Sequence, residues 1–289
     1  MDARTGRHCH DVLNPLHSLV YFAPEADPEY VGAGLVKGRM GYFASRAAPM
    51  GAVAASTIRA TFFNFAPGLI ARHIPAAWEL AAPADVYAAR LRVVDRALRR
   101  VLGDDVVASA EVREAAELTL AAGRAGPPEG RPLYAAHAAQ ATPDLADAPH
   151  VALWFGTTLI REYRGDGHIT ALVDAELDGV EALFTHTATG RGFTTDFAVA
   201  SRGWTGEEWA AAAERLSARG LVDAEGALTE RGFDLRRTIE ARTDRLGVAP
   251  FEHLGDVRTA RLTELGRYLT GVALANEAFP TGVFATPKG

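Results

Sequence analysis

The chain has 289 residues, 48% of them hydrophobic and 23% charged, with a formal net charge of −6 and a pI near 5.9. This composition excludes a disordered or fibrous protein and allows two domains of ordinary size, while the acidic balance removes the phosphate attraction that supplies most nonspecific nucleic-acid affinity. A single cysteine, Cys9, excludes an internal disulfide and fits a reducing cytoplasm; no apolar signal region and no run of about 18 apolar residues argue for export or a membrane span.

Residues 1–14 are polar and read as a loose tail. From Pro15 to about Leu102 the pattern is mainly helical, with breaks at Gly32 to Gly41, at Pro49-Met50-Gly51, at Ala66-Pro67-Gly68 and at Pro83. The spacing predicts a helix over 83–102, with Leu91, Val94, Leu98 and Val101 on one face and Arg92, Arg96, Arg99 and Arg100 on others. A further helix is predicted over about 106–122. The stretch 123–148, dense in Gly, Pro and Asp, reads as a linker. Beyond it, helices are predicted over 149–163 and 168–187, with Arg164-Gly165-Asp166-Gly167 either separating them or tolerated inside one long helix. A helix from about Thr205 to Arg219, the pair Leu221-Val222, the turn Asp223-Ala224-Glu225-Gly226 and a Thr229-capped helix to about Leu246 then follow in winged-helix order. A last helix is predicted over 256–276. A shift of 141 residues brings Phe43 onto Phe184, Ala47 onto Ala188 and Gly51 onto Gly192, a weak sign of internal duplication.

Chemistry is sparser than structure. Two glycines within three positions cost roughly 1 kcal/mol each inside a helix, so Arg161 to His168 reads as a pocket wall, with His168 as general acid or base and Glu162 or Asp166 orienting it. The plainer alternative is a turn with solvated charges. Asn64, set among Phe62, Phe63 and Phe65, must hydrogen-bond in the core or line a cavity. His186 in a last helical turn is favoured by the helix dipole, and Trp154 fits a core as well as a ligand wall. His8-Cys9-His10 with His17 resembles a ligand cluster but lacks metal-ligand spacing, and no phosphate-binding, dinucleotide or serine-hydrolase motif occurs, so neither metal nor cofactor is expected. The helix 205–219 sets Glu207, Glu208 and Glu214 against Arg215 and Arg219, a poor set for reading base edges. Arginines 92, 96, 99 and 100 either contact phosphates or pair with acids such as Asp85 and Asp95.

The strings YFAPEA (21–26), GYFASRAAPMG (41–51), FFNFAP (62–67), REYRGDGHI (161–169), HTATGRG (186–192), SRGWTGEEW (201–209) and ARGLVDAEGALTERG (218–232) resemble a large actinobacterial family of helix-turn-helix proteins, over roughly Pro15 to Phe279. The carboxy-terminal half is similar to the MarR winged-helix group, DNA-binding regulators that often sense phenolic or apolar small molecules. The chain departs from that group in the acidic Glu207-Glu208 helix, in a short wing without basic residues, and in its fused second half.

The expected fold is therefore mainly α, with two winged-helix-like units at 15–122 and 149–246, a linker at 123–148 and a helical extension at 247–289. The expected function is that of a cytoplasmic small-molecule-binding protein of regulator ancestry, monomeric or homodimeric, with weak or no DNA binding. Its ligand, a small apolar or aromatic molecule, is expected in an inter-unit pocket lined by Asn64, Trp154, Glu162, Asp166, His168 and His186. The alternatives are an enzyme of specialised metabolism using His168, and a MarR-like transcriptional regulator.

Overall fold

The structure, a computed structural model, describes residues 1–285. Its helices are α1 Ala3–Ser18, α2 Ala26–Gly32, α3 Arg39–Ala47, α4 Ala55–Phe62, α5 Pro67–Ala71, α6 Ala76–Leu80, α7 Pro83–Leu102, α8 Asp104–Val107, α9 Ala110–Arg124, α10 Pro132–Ala138, α11 Pro149–Asp174, α12 Gly179–Thr187, α13 Thr195–Arg202, α14 Gly206–Ala218, α15 Glu230–Leu246 and α16 Ala249–Ala275. Among the described residues there is no strand, only isolated antiparallel bridges at Phe193–Phe284 and Val222–Leu228. None of the described helices is long and apolar enough to cross a membrane.

The chain divides into two compact units. The first comprises Met1–Val53, His73–Gly167 and Asp244–Phe279. Its centre is α7, which buries Val86, Ala89, Val93, Val94, Ala97, Leu98 and Val101, as the apolar periodicity requires. Each of the buried valines and Leu98 contributes about 1.5–3 kcal/mol, the alanines less. Residues 1–14, expected as a loose tail, instead form most of α1. Gly6, Cys9, Leu13, Leu16 and His17 recur every three or four positions and are buried, while Asp2 caps the helix through its carboxylate. A stripe this narrow in a polar sequence still commits the helix to the core. It packs on α16, where Thr270 Oγ1 donates to the Val12 carbonyl at 2.7 Å, and a Cβ at Gly266 would lie 3.0 Å from both Val12 and Leu13.

Of the two readings of residues 164–167, the uninterrupted helix is the one observed. Gly167 is needed there because a Cβ would come within 2.8 Å of Arg131 Nη1 and 3.0 Å of Leu246 Cβ. The helix predicted over about 106–122 is likewise resolved into α8 and α9, parted by Ser109, whose hydroxyl caps the second.

The second unit comprises Ala54–Arg72, His168–Thr243 and Pro280–Gly289, described as far as residue 285. Its helix α12 buries Val180, Leu183 and Phe184 and is packed on by α13 and α14. The latter two are joined at Gly203, which takes the left-handed conformation (φ 75°) that an L side chain resists, and whose Cβ would meet Leu69 at 2.8 Å. Thr205 and Glu208 then form a reciprocal capping box that starts α14. The expected wing is reduced to one bridge, Val222–Leu228, with the Asp223 N–H on the Ala227 carbonyl and Gly226 at φ 79° closing the turn. The helices 39–47 and 55–62 recur 140 residues on as 179–187 and 195–202. The recurrent helices carry side-chain caps at Asp178 and Thr194, whereas Gly38 and Ala54 provide none.

Candidate functional site

Residues 19–24 with α2 and α3 frame a cleft of about 320 Å³ in the first unit, lined chiefly by Tyr21, Phe22, Tyr30, Arg39, Tyr42 and Ser45. That volume lies at the lower end of small-molecule sites. The tyrosines are held by packing. The ring of Tyr30 lies directly against Gly41, which has no side chain to obstruct it. Tyr21 and Tyr42 are tilted on each other at 5.2 Å, and the Arg39 guanidinium sits 4.8 Å above the Tyr42 ring. Asp27 also lines the cleft and accepts the Gly38 N–H at 3.0 Å.

Behind this wall runs a buried hydrogen-bonded chain whose proton positions follow from its geometry. Thr158 Oγ1 donates its only hydrogen to the Trp154 carbonyl at 2.8 Å, so it must accept from His17 Nδ1, also at 2.8 Å. Burial, reinforced by Arg161, holds His17 well below the usual histidine range and therefore neutral. With its one proton on Nδ1, His17 accepts at Nε2 from the Tyr21 hydroxyl at 2.8 Å. Tyr21 in turn accepts from Arg90 Nη2 at 3.1 Å, and Arg90 Nη1 donates to the Ser45 carbonyl at 2.9 Å. Trp154 stacks on His17 at 5.5 Å and donates its indole N–H to the His17 carbonyl. The Tyr21 hydroxyl is thus engaged on both sides, its proton given to His17 and its oxygen accepting from Arg90, which fixes the ring in the cleft wall.

Glu162 lies beside this chain, 1% exposed, and receives Arg46 Nε at 3.3 Å, Arg46 Nη2 at 3.0 Å and Arg161 Nη1 at 2.9 Å. Burial alone would raise its pKa, but Arg46 and Arg161 outweigh burial and hold the carboxyl well below the usual range. His137 on α10 is fully buried, with neither ring nitrogen partnered among the described residues, and its ring lies edge-on to Tyr87 at 6.4 Å, whose hydroxyl is likewise without a partner among them. Burial, with Arg90 adding to it, pushes His137 down to about 3.

Of the six residues expected to line a pocket, Trp154 and Glu162 belong to this buried group in the first unit. Asp166 is also in the first unit, but its Oδ2 accepts the backbone N–H groups of Leu133 and Tyr134 at 3.0 and 2.9 Å, capping α10 from a distance. Asn64, His168 and His186 belong to the second unit. There the Asn64 carbonyl receives the Trp204 indole N–H at 3.0 Å. His168 Nδ1 donates to Thr243 Oγ1 at 2.8 Å, since that hydroxyl is already given to Ile239. His186 ends α12 against Gly192, whose Cβ would stand 2.7 Å from its Nε2. His17, Tyr21, Arg46 and Arg90 were not anticipated as site residues, because three distant chain segments bring them together and only the His17–Tyr21 spacing is local.

The features that bear on nucleic acid are largely neutralised within the chain. Arg92 and Arg96 both pair with Glu29, Arg99 with Asp95 and Asp104, and Arg100 with Glu25. On α14, Arg215 pairs with Asp178 and Glu181, and Arg219 donates to the carbonyls of Ala175 and Glu176 at the end of α11. What α14 leaves exposed includes Glu207, Ala210, Ala211 and Glu214.

The chain belongs to a helix-turn-helix family, whose model matches residues 6–280. Comparison with curated proteins and with solved structures finds no match.

Proposed function

We propose that this helix-turn-helix protein binds a small aromatic molecule in the cleft of its first unit and holds DNA weakly or not at all. The observation that carries the reading is the cleft itself, walled by Tyr21, Tyr30 and Tyr42 and backed by a hydrogen-bonded chain that fixes the Tyr21 oxygen. Rigid aromatic walls with a few placed polar groups are what a small-molecule site needs, and pre-organisation lowers the cost of binding. A panel of small aromatic compounds measured by thermal shift tests it. At least one should raise the melting temperature saturably, and Tyr42→Ala should abolish that rise while leaving the protein folded. A panel without a single saturable shift would refute the reading.

A second reading, a DNA-binding regulator, draws on family membership and on the α13–α14 pair with its Gly203 turn. The acidic and alanine-rich exposed face of α14 weighs against it, since groove reading needs Arg, Lys, Asn or Gln at such positions. A small-molecule sensor can retain a helix-turn-helix scaffold after its basic contacts are lost. Regulator ancestry and ligand binding are then compatible.

A further inference from the structure

Resting on the small-molecule reading, we infer that the ligand of the cleft is a monoanion, an aryl carboxylate, selected by the charge of Arg90 behind Tyr21 and Ser45. Arg90 is fully buried. Its Nη1 and Nη2 donate to neutral acceptors, the Ser45 carbonyl and the Tyr21 hydroxyl, and its Nε has no partner among the described residues. Among the described residues no carboxylate contacts it, and the charge of Glu162 reaches it only from a distance. Glu162, the buried acid of this region, is engaged by Arg46 and Arg161. A guanidinium cannot relieve its burial by losing a proton, and with Glu162 paired to Arg46 and Arg161 the charge of Arg90 is left with ring faces and neutral acceptors at contact distance.

The two groups that Arg90 holds are both part of the cleft lining, so an anion in the cleft would lie one residue's thickness from the guanidinium. The charges of the lining itself are balanced, Arg39 against Asp27, and Asp27 Oδ1 is occupied by Gly38. Arg90 therefore decides the sign. Because the Tyr21 proton is given to His17 and its oxygen accepts from Arg90, Tyr21 offers a carboxylate no donor and serves the ligand as an aromatic wall. That leaves the carboxylate for Arg39 and Ser45 and the ring for Tyr21, Tyr30 and Tyr42.

The test uses the full chain and three probes of one shape and different charge: phenylacetate, 2-phenylethanol and phenethylamine, titrated calorimetrically at pH 7. Phenylacetate should bind at least tenfold more tightly than either of the others. Arg39→Gln should weaken phenylacetate about tenfold and leave 2-phenylethanol unchanged. Glu162→Gln, which removes the nearby negative charge, should tighten phenylacetate, an effect in the opposite direction to any loss of fold. Arg90→Met, if it folds, should erase the preference for the anion; should it not fold, the Arg39 and Glu162 variants decide. Equal or tighter binding of the alcohol or amine would overturn the anion inference and leave the cleft reading standing. Failure of all three probes at millimolar concentration would overturn both.

Discussion

Replacing His137 with leucine removes one ionisable group from the core of the first unit, and the effect can be worked out from its surroundings. His137 is fully buried, and burial followed by Arg90 lowers its pKa from 6.5 to about 3, with Glu162 opposing. Below pH 6.5 the unfolded chain takes up a proton at this position that the folded chain refuses. The stabilisation is complete above pH 6.5 and is lost as pH falls, at about 1.4 kcal/mol per pH unit and on the order of 5 kcal/mol by pH 3. Leucine does not titrate, and it also removes two buried nitrogens without partners, which cost about 1–3 kcal/mol each. His137→Leu should therefore be at least as stable as the natural protein at pH 7.5, and its advantage should grow by about 2 kcal/mol at pH 5. Urea unfolding followed by tryptophan fluorescence at pH 7.5, 6 and 5 measures this, and the other buried histidines cancel in the difference. A stability difference that stays constant across the three pH values would refute the reasoning.

Asp166 has its pKa raised by burial to about 6, so its contribution is present at low pH and is lost as pH rises through that value. Asp166→Asn keeps an acceptor for Leu133 and Tyr134 and should gain on the natural protein between pH 4 and 6 in denaturant titrations, whereas Asp166→Ala should cost about 1–3 kcal/mol by orphaning both N–H groups. Gly167→Ala should be destabilising in spite of the helix propensity it adds, because Arg131 must move; a raised melting temperature would contradict the packing described. Deleting residues 1–14 should lower solubility and melting temperature sharply, since it strips Cys9 and Leu13 from the core, and an unchanged melting curve would show α1 to be dispensable. Mixed-sequence duplex DNA should show no gel shift at micromolar protein and physiological salt, and a tight, salt-sensitive shift would restore the regulator reading.

Long, strongly periodic elements could be read from the sequence, as α7 shows: its residues 83–102 were predicted to the residue. The start of α14 near Thr205 was legible too, but the Gly203 turn and the Thr205–Glu208 capping box, in spite of their local signatures, were not among the features read. What else escaped was decided by distant partners. The apolar stripe of α1 is one residue wide and acquires meaning only against α16, and Gly167 looks like a helix breaker until Arg131 passes over it. The candidate site was legible only in part. Trp154 and Glu162 were singled out, but Arg90 is one arginine in a chain where all but two of the 30 basic residues are arginines, and nothing local marks it as the buried one. His17 and Tyr21 form a pair at helical spacing whose significance depends on Thr158 and Arg90.

The packing of α1 on α16 also sets an order of events during synthesis. The face of α1 that carries Cys9, Leu13 and Leu16 is made long before the helix bearing Thr270 and Gly266 that covers it. At about 5–20 residues per second the ribosome needs tens of seconds to cross that interval. Over this time α1 and the α16-facing sides of α7 and α9 wait without their cover, while the consecutive helices α12 to α14 can already assemble among themselves. A nascent chain stalled before residue 249 would thus present apolar helix faces to chaperones and proteases, and the first unit can close only after translation has passed α16.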